Sequence, residues 1–277
     1  MAGPLIDVDL LGELLGREHP PVLLDVRWSL AGGPGLKDYL AGHIPGAQFV
    51  NMDSDLADPA GAGGRHPLPS PERFAAAMRR AGVRGDTTVV VYDAGNATSA
   101  ARAWWLLRRL GHADVRVLYG GLAAWRRAGR AVETAVAAAA EGDFSPGAAG
   151  AEVVEADAVL QAAADGVLLD ARDRERYLGK VEPVDPVAGH IPGAVSAPTR
   201  DNVGEHGSFR DAGALRRRFV ALGVTDERPV TVYCGSGITA AHEVLALEVA
   251  GFRASMYPGS WSHWITDPAR PVATGPE

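Results

Sequence analysis

Cysteine is nearly absent: Cys234 is the single one in 277 residues. One thiol excludes an intramolecular disulfide and a cysteine-based zinc site, and it suits a reducing, cytoplasmic setting. Long apolar runs are also missing, since no stretch approaches the ~20 residues that a membrane-spanning helix needs. Positive charge is in deficit, with a net charge of −7, which argues against a nucleic-acid surface. Residues 1–20 lack a basic n-region and a long apolar core; Asp7, Asp9 and Glu13 among leucines read as a first helix and not as an export signal. The 47% hydrophobic and 22% charged content is that of an ordinary globular protein, long enough for two domains. The paired arginines, such as Arg79-Arg80 and Arg108-Arg109, fall in helix-like segments and read as solvated faces.

What the chain does contain is a repeat. Val22-Leu23-Leu24-Asp25-Val26-Arg27 returns as Val167-Leu168-Leu169-Asp170-Ala171-Arg172. Ala41-Gly42-His43-Ile44-Pro45-Gly46-Ala47 returns as Ala188-Gly189-His190-Ile191-Pro192-Gly193-Ala194. Val89-Val90-Val91-Tyr92-Asp93 matches Val230-Thr231-Val232-Tyr233-Cys234, and residues 120–125 match 259–264. Four blocks in the same order, at a period near half the chain, describe a duplicated domain. Each copy alternates strand-like apolar runs with helical patterns, which implies right-handed crossovers and a parallel sheet covered on both faces. Asp7 is expected to cap a helix to Leu15, and Ser70 one that opens at Pro71 and runs to Arg80. Residues 135–150 are rich in Ala and Gly with little pattern and read as a linker between domains at 1–134 and 151–277.

Cys234 ends a strand-like run and opens Cys234-Gly235-Ser236-Gly237-Ile238-Thr239, with a helix expected over 240–250. A lone cysteine is usually a small buried hydrophobe. Here the glycines let the loop curl with its amides inward, and the positive end of the helix favours a thiolate.

Comparing the two copies separates architecture from chemistry. The Asp25/Arg27 and Asp170/Arg172 pairs and the His-Ile-Pro-Gly turns occur in both, so they read as structural, His190 included. Asp93 replaces the cysteine in the first copy, which is therefore expected to be inactive. Arg174 and Arg176 have no counterparts in the first copy and follow a strand end, where parallel sheets collect ligands. Arg176 is expected to meet an anionic substrate, and Arg174 to be solvated.

Together these blocks resemble the rhodanese superfamily, specifically its tandem-domain thiosulfate and 3-mercaptopyruvate sulfurtransferases, over nearly the whole chain. The resemblance implies an α/β fold of two tandem domains, each a central parallel sheet flanked by helices on both faces. It implies catalytic roles for Cys234, Ser236 and Arg176. Substrate contacts would come from Arg176, Gly235, Ser236, Gly237, Ile238 and Thr239, and from His43. Cys234 would carry a persulfide taken from a small anionic donor and passed to a thiol, cyanide or a thioredoxin-like protein, without metal or organic cofactor. The Cys-Gly-Ser-Gly-Ile-Thr loop is similar to the mercaptopyruvate branch. A second arginine is implied near Val181-Glu182-Pro183-Val184-Asp185, where this chain has an acid. The implied serine–histidine–aspartate relay maps onto Ser236 and His43, with no aspartate near residues 32–35 and Asp38 a poor match.

Two other functions share such a loop. A cysteine phosphatase needs an arginine six residues after the cysteine, and Ala240 stands there. A protein-to-protein persulfide carrier would use identical loop chemistry and stays open, although an arginine directed at substrate favours a small donor.

Overall fold

The computed structural model describes residues 3–136, 138–147, 150–204 and 206–276. The chain divides into two compact units. The first comprises Met1–Asp58, Pro69–Ala151 and Glu205–Phe209; the second comprises Pro59–Leu68, Glu152–Gly204 and Arg210–Glu277. The exchange is reciprocal: each half of the sequence contributes a short segment to the other unit.

The first unit is built on five parallel strands in the order Leu5–Ile6, Val115–Leu118, Val89–Tyr92, Val22–Asp25, Gln48–Phe49. The second has four in the order Ser255–Met256, Val230–Tyr233, Val167–Asp170, Ala194–Ser196. Val89–Tyr92 and Val230–Tyr233 are buried at every residue, as continuous apolar strands of a covered parallel sheet must be. Helices start where the capping residues place them. Asp7 accepts the Leu10 N–H at 2.8 Å to open Val8–Leu15, and Ser70 Oγ accepts the Arg73 N–H at 3.2 Å to open Pro71–Arg80. The helix after Cys234 runs over Ile238–Val249, two residues ahead of its expected start, because Gly237 at φ +81 ends the loop early. Nearly all of its residues are buried, including His242 and Glu243; Asn202 and Arg218 bind the Glu243 carboxylate at 2.6 and 3.0 Å.

The repeated blocks do the same mechanical work in each unit. Asp25 holds Arg27 side-on, and Arg27 Nη2 donates to Gly42 O at 3.0 Å; Asp170 holds Arg172, whose Nη2 reaches Gly189 O at 2.6 Å. His43 stacks on Tyr39 and His190 on Tyr177, each pair at 3.8 Å. Each tyrosine hydroxyl donates to the carbonyl that ends the next turn, Ala47 O at 2.8 Å and Ala194 O at 2.7 Å. Gly46 and Gly193 sit at φ +80 and +79, the left-handed position that an Ile-Pro-Gly type II turn requires. The Tyr92 and Tyr233 hydroxyls accept the Ile44 and Ile191 N–H groups, both at 3.1 Å. The tract 135–150 carries no helix or strand among its described residues. It is nonetheless pinned to the first unit: Phe144 is buried against Phe74, and Gly147 N–H donates to Leu110 O at 2.8 Å. Among the described residues no helix is long and apolar enough to cross a membrane, and no cluster of three His, Cys, Asp or Glu forms a metal-binding group.

Candidate active site

Strand Val230–Tyr233 delivers Cys234 at its carboxyl end, next to Asp170 at the end of the neighbouring strand. The left-handed Gly237 turns the loop so that its own N–H donates to Cys234 Sγ at 3.1 Å. Cys234 is 1% exposed, so its sulfur sits in a covered, donor-lined place at a helix N-terminus. The short helix Ser260–Trp264 holds the loop from the side. Trp261 and Ser262 N–H groups donate to Cys234 O and Gly235 O, both at 2.9 Å. Ser260 Oγ accepts the Cys234 N–H at 3.0 Å, donates to Tyr257 O at 3.0 Å and lies 3.9 Å from Sγ. Ser260 has φ +55, a strained conformation for a non-glycine residue. The first unit has Gly121, at φ +53, in the matching place, so the serine is present for its hydroxyl.

Two arginines stand at the loop. Arg176 rises from the short helix Arg174–Tyr177, which follows strand Val167–Asp170. Its Nε and Nη2 grip Glu182 at 3.0 and 2.7 Å, and Nη2 also reaches Asp185 Oδ2 at 3.0 Å. Arg65 comes from the Pro59–Leu68 segment; its backbone N–H donates to Ser262 Oγ at 3.1 Å and its Nη1 binds Asp185 Oδ1. Burial lowers the Arg65 guanidinium from its ordinary value, Cys234 opposing that effect and Arg176 adding to it. Behind them Arg172 is buried over the Trp261 ring at 4.6 Å; burial works against its charge, but the Asp170 carboxylate prevails and holds it above the usual arginine value. Burial, with Asp170 beside it, likewise pushes the Tyr233 hydroxyl well up, so it stays protonated.

Ser236 Oγ lies 2.8 Å from His66 Nδ1, the residue next to Arg65. The histidine expected there was His43. That residue packs inside the first unit, 1% exposed, with Nδ1 2.8 Å from Tyr39 O, in the same arrangement as His190 against Tyr177. The serine's partner is therefore His66. Cys234, Gly235, Ser236, Gly237, Ile238, Thr239 and Arg176 all belong to the second unit, while Arg174 is exposed. Sequence reasoning missed Arg65, His66 and Ser260. Comparing the copies had the means to find Ser260, which replaces Gly121, but Arg65 and His66 lie in an unpatterned Gly/Pro stretch.

The first unit shows what such a loop does with an anion already in it. Asp93 Oδ1 accepts the Gly95 and Ala97 N–H groups at 2.9 and 3.0 Å. Its Oδ2 accepts the Ser99 N–H, Ser99 Oγ–H and Ala100 N–H at 3.1, 3.3 and 3.3 Å. Burial pushes this carboxyl up, and the Gly95, Ala100, Ala97 and Ser99 amides pull it back. Four backbone N–H groups and the Ser99 hydroxyl face it, and hydrogen bonds from such donors favour the ionised form against the burial. Leu122 and Ala123 N–H groups hold Asp93 O and Ala94 O at 2.9 and 3.0 Å, as Trp261 and Ser262 hold the cysteine loop. The helix cap falls at Ala97, four residues after Asp93, but at Gly237, three after Cys234. The cysteine loop is one residue shorter.

The rhodanese-like domain family matches the chain twice, over residues 7–128 and 155–267. SseB of Mycobacterium tuberculosis, whose name assigns it thiosulfate sulfurtransfer, is 46% identical over 98% of this chain and 97% of its own. A Pseudomonas aeruginosa protein named "Probable 3-mercaptopyruvate sulfurtransferase" is 48% identical over 92% of each chain. The crystal structure of SseA from Escherichia coli, a 3-mercaptopyruvate enzyme by its description, superposes with a TM-score of 0.82 at 36% identity, covering 94% of this chain and 100% of that one. Matched in both halves and along nearly its full length, the chain belongs to the rhodanese-like domain family and is a tandem-domain sulfurtransferase.

Proposed function

We propose that the protein takes its sulfur from 3-mercaptopyruvate in preference to thiosulfate, carries it as a persulfide on Cys234, and hands it to a thiol acceptor. The observation that carries the choice of donor is the Ser236–His66 contact of 2.8 Å beside the sulfur. The Cys234 thiolate attacks the donor sulfur, forming an S–S bond. In mercaptopyruvate the C–S bond breaks, and its electron pair leaves as the pyruvate enolate, which must gain a proton. Sulfite leaving from thiosulfate needs none. With a proton on His66 Nδ1, Ser236 Oγ accepts from the histidine and turns its own O–H to the leaving carbon. An acceptor thiolate then attacks the outer sulfur and returns the Cys234 thiolate, a two-stage exchange.

The new outer sulfur needs donors of its own. In the first unit those serving Asp93 Oδ2 come from Ser99 and Ala100, two and three residues past the helix cap at Ala97. Counted from Gly237, the same places hold Thr239 and Ala240. Thr239 N–H and Oγ–H and the Ala240 N–H thus supply the anion hole for the persulfide. Arg176 orients the donor's carboxylate by charge-assisted contacts.

Ser236→Ala and His66→Gln are each expected to lower kcat/KM for mercaptopyruvate by ~10²-fold, the scale of a lost general acid. Turnover of thiosulfate should change far less. Steady-state assays with the two donors, cyanide serving as acceptor for both, make the comparison. An equal loss on both donors would remove the relay, and a wild type faster on thiosulfate would overturn the choice of donor.

Arg176→Ala is expected to raise the KM for mercaptopyruvate at least tenfold, about the worth of one charged hydrogen bond. It also leaves Glu182 and Asp185, both nearly fully buried, short of a counter-charge, so a drop in melting temperature should accompany the kinetic change. An unchanged specificity constant takes Arg176 out of the site.

A further inference from the structure

We infer that the site has a further activity, the enolisation of free pyruvate: Ser236 and His66 draw a proton from its methyl group and exchange it with solvent, and on the persulfide form the resulting enolate takes the sulfur back. This rests on the sulfur-transfer reading above, in which pyruvate is the molecule released. A pair that gives a proton to carbon in one direction must remove it from the same carbon in the other.

The parts are placed for both directions. Ser236 Oγ lies 2.8 Å from His66 Nδ1, a distance at which the hydroxyl can donate as well as accept. Among the described residues His66 is the one hydrogen-bond partner of that hydroxyl. Ser236 is 7% exposed, so bulk water, the ordinary source of a proton for an enolate, is largely kept from it. The loop sets it beside the sulfur: Gly237, the next residue, donates its N–H to Cys234 Sγ at 3.1 Å. The negative charge of an enolate also finds support there. The helix Ile238–Val249 opens at Gly237 with its amide donors, and Arg176 adds a cation, its Nη1 and Nη2 lying 3.6 and 3.8 Å from where a Cβ on Gly235 would stand.

In the resting enzyme Ser236 Oγ takes a proton from the methyl carbon as its own proton passes to neutral His66 Nδ1. The C–H electron pair enters the enolate, and return of a solvent-derived proton by the same route gives pyruvate with one hydrogen replaced. In the persulfide form, with its outer sulfur protonated, the enolate carbon attacks that sulfur. A C–S bond forms, the S–S bond breaks, and its electron pair returns to Cys234 as the thiolate. The products are 3-mercaptopyruvate and resting enzyme with the proton left on His66; no oxidant or reductant is consumed.

The test uses the full-length wild type, Ser236→Ala and His66→Gln in heavy water, with pyruvate isotopically labelled at its methyl carbon. Magnetic resonance follows deuterium entering the methyl group with resting enzyme. Mass spectrometry follows the carbon label into 3-mercaptopyruvate when persulfide enzyme, freed of its donor, is given the labelled pyruvate. Wild type is expected to exchange the methyl hydrogens at least tenfold faster than buffer and to label mercaptopyruvate. Each variant should lower the exchange by ~10²-fold, the scale of a lost acid–base group, at a wild-type melting temperature. Exchange at the buffer rate in a wild type that turns over mercaptopyruvate normally would show the enolate leaving before it gains its proton; the inference would fall and the sulfur transfer stand. Folded variants that exchange as fast as wild type would overturn it as well. Should either variant fail to fold, the other decides between these results. A wild type that exchanges through Ser236 and His66 yet takes no sulfur from mercaptopyruvate refutes the proposed function and leaves the proton exchange standing.

Discussion

Cys234→Ser is expected to fold like the wild type and to transfer no sulfur. The hydroxyl fits the same space and can accept the Gly237 N–H that now reaches Sγ at 3.1 Å, so the loop loses little. The chemistry does not survive. A serine hydroxyl is a far weaker nucleophile toward sulfur than a thiolate, and oxygen has no means of forming the S–S bond that stores the transferred atom. Ser236 and His66 are bonded to each other, and that pair is aimed at the leaving group in the proposed reaction, with no part in raising a new nucleophile. Intact-mass measurement makes the result direct. Wild type treated with mercaptopyruvate should gain the mass of one sulfur atom and lose it to cyanide, and the variant should gain nothing. A serine variant that turns over would end the persulfide account.

The second large effect is expected in the unit without the cysteine. Asp93→Asn should destabilise the protein by about 3 kcal/mol, because buried donors lose a charged acceptor and the new NH2 faces other N–H groups. Asp93 accepts backbone N–H groups of Gly95, Ala97, Ser99 and Ala100, and only the Ser99 hydroxyl facing it could accept from an amide in return. Thermal unfolding would read this as a fall of about 6–12 °C for a protein of this size. Asp93→Ala should cost as much, since it leaves the same amides bare and adds a cavity. A melting temperature within about 2 °C of wild type in both variants would show the amides finding water, at a loss too small to register.

The sequence was most informative where one residue governs a local structure. Asp7, Ser70 and Pro71 open their helices as their capping chemistry requires, and the four repeated blocks foretell two similar parallel sheets. The blocks persist because each makes a specific contact: the aspartate–arginine pair bolts a strand end to the Gly-His turn, and the tyrosine hydroxyl clamps the isoleucine amide. The cysteine loop was legible for the same reason, as glycine, strand end and helix start lie within a few residues.

What could not be read depends on where a segment goes and not on what it forms. Residues 59–68 have no periodicity, and nothing local says that a stretch preceding the Pro71–Arg80 helix belongs to the second unit. Arg65 and His66 were invisible for that reason, and His43 drew attention through a motif that proved to be a turn fastener. The stretch 181–185 shows in sequence only an acid about where the resemblance implies an arginine; that Asp185 binds Arg65 through one oxygen and Arg176 through the other depends on the fold.

The single-residue difference in loop length bears on how the two halves differ. Writing Cys at position 93 would place a sulfur four residues ahead of its helix cap, where the active loop allows three. A second loop of the same geometry in the first unit would therefore take a deletion as well as a substitution, and neither change alone would place a sulfur at the same distance from a helix start.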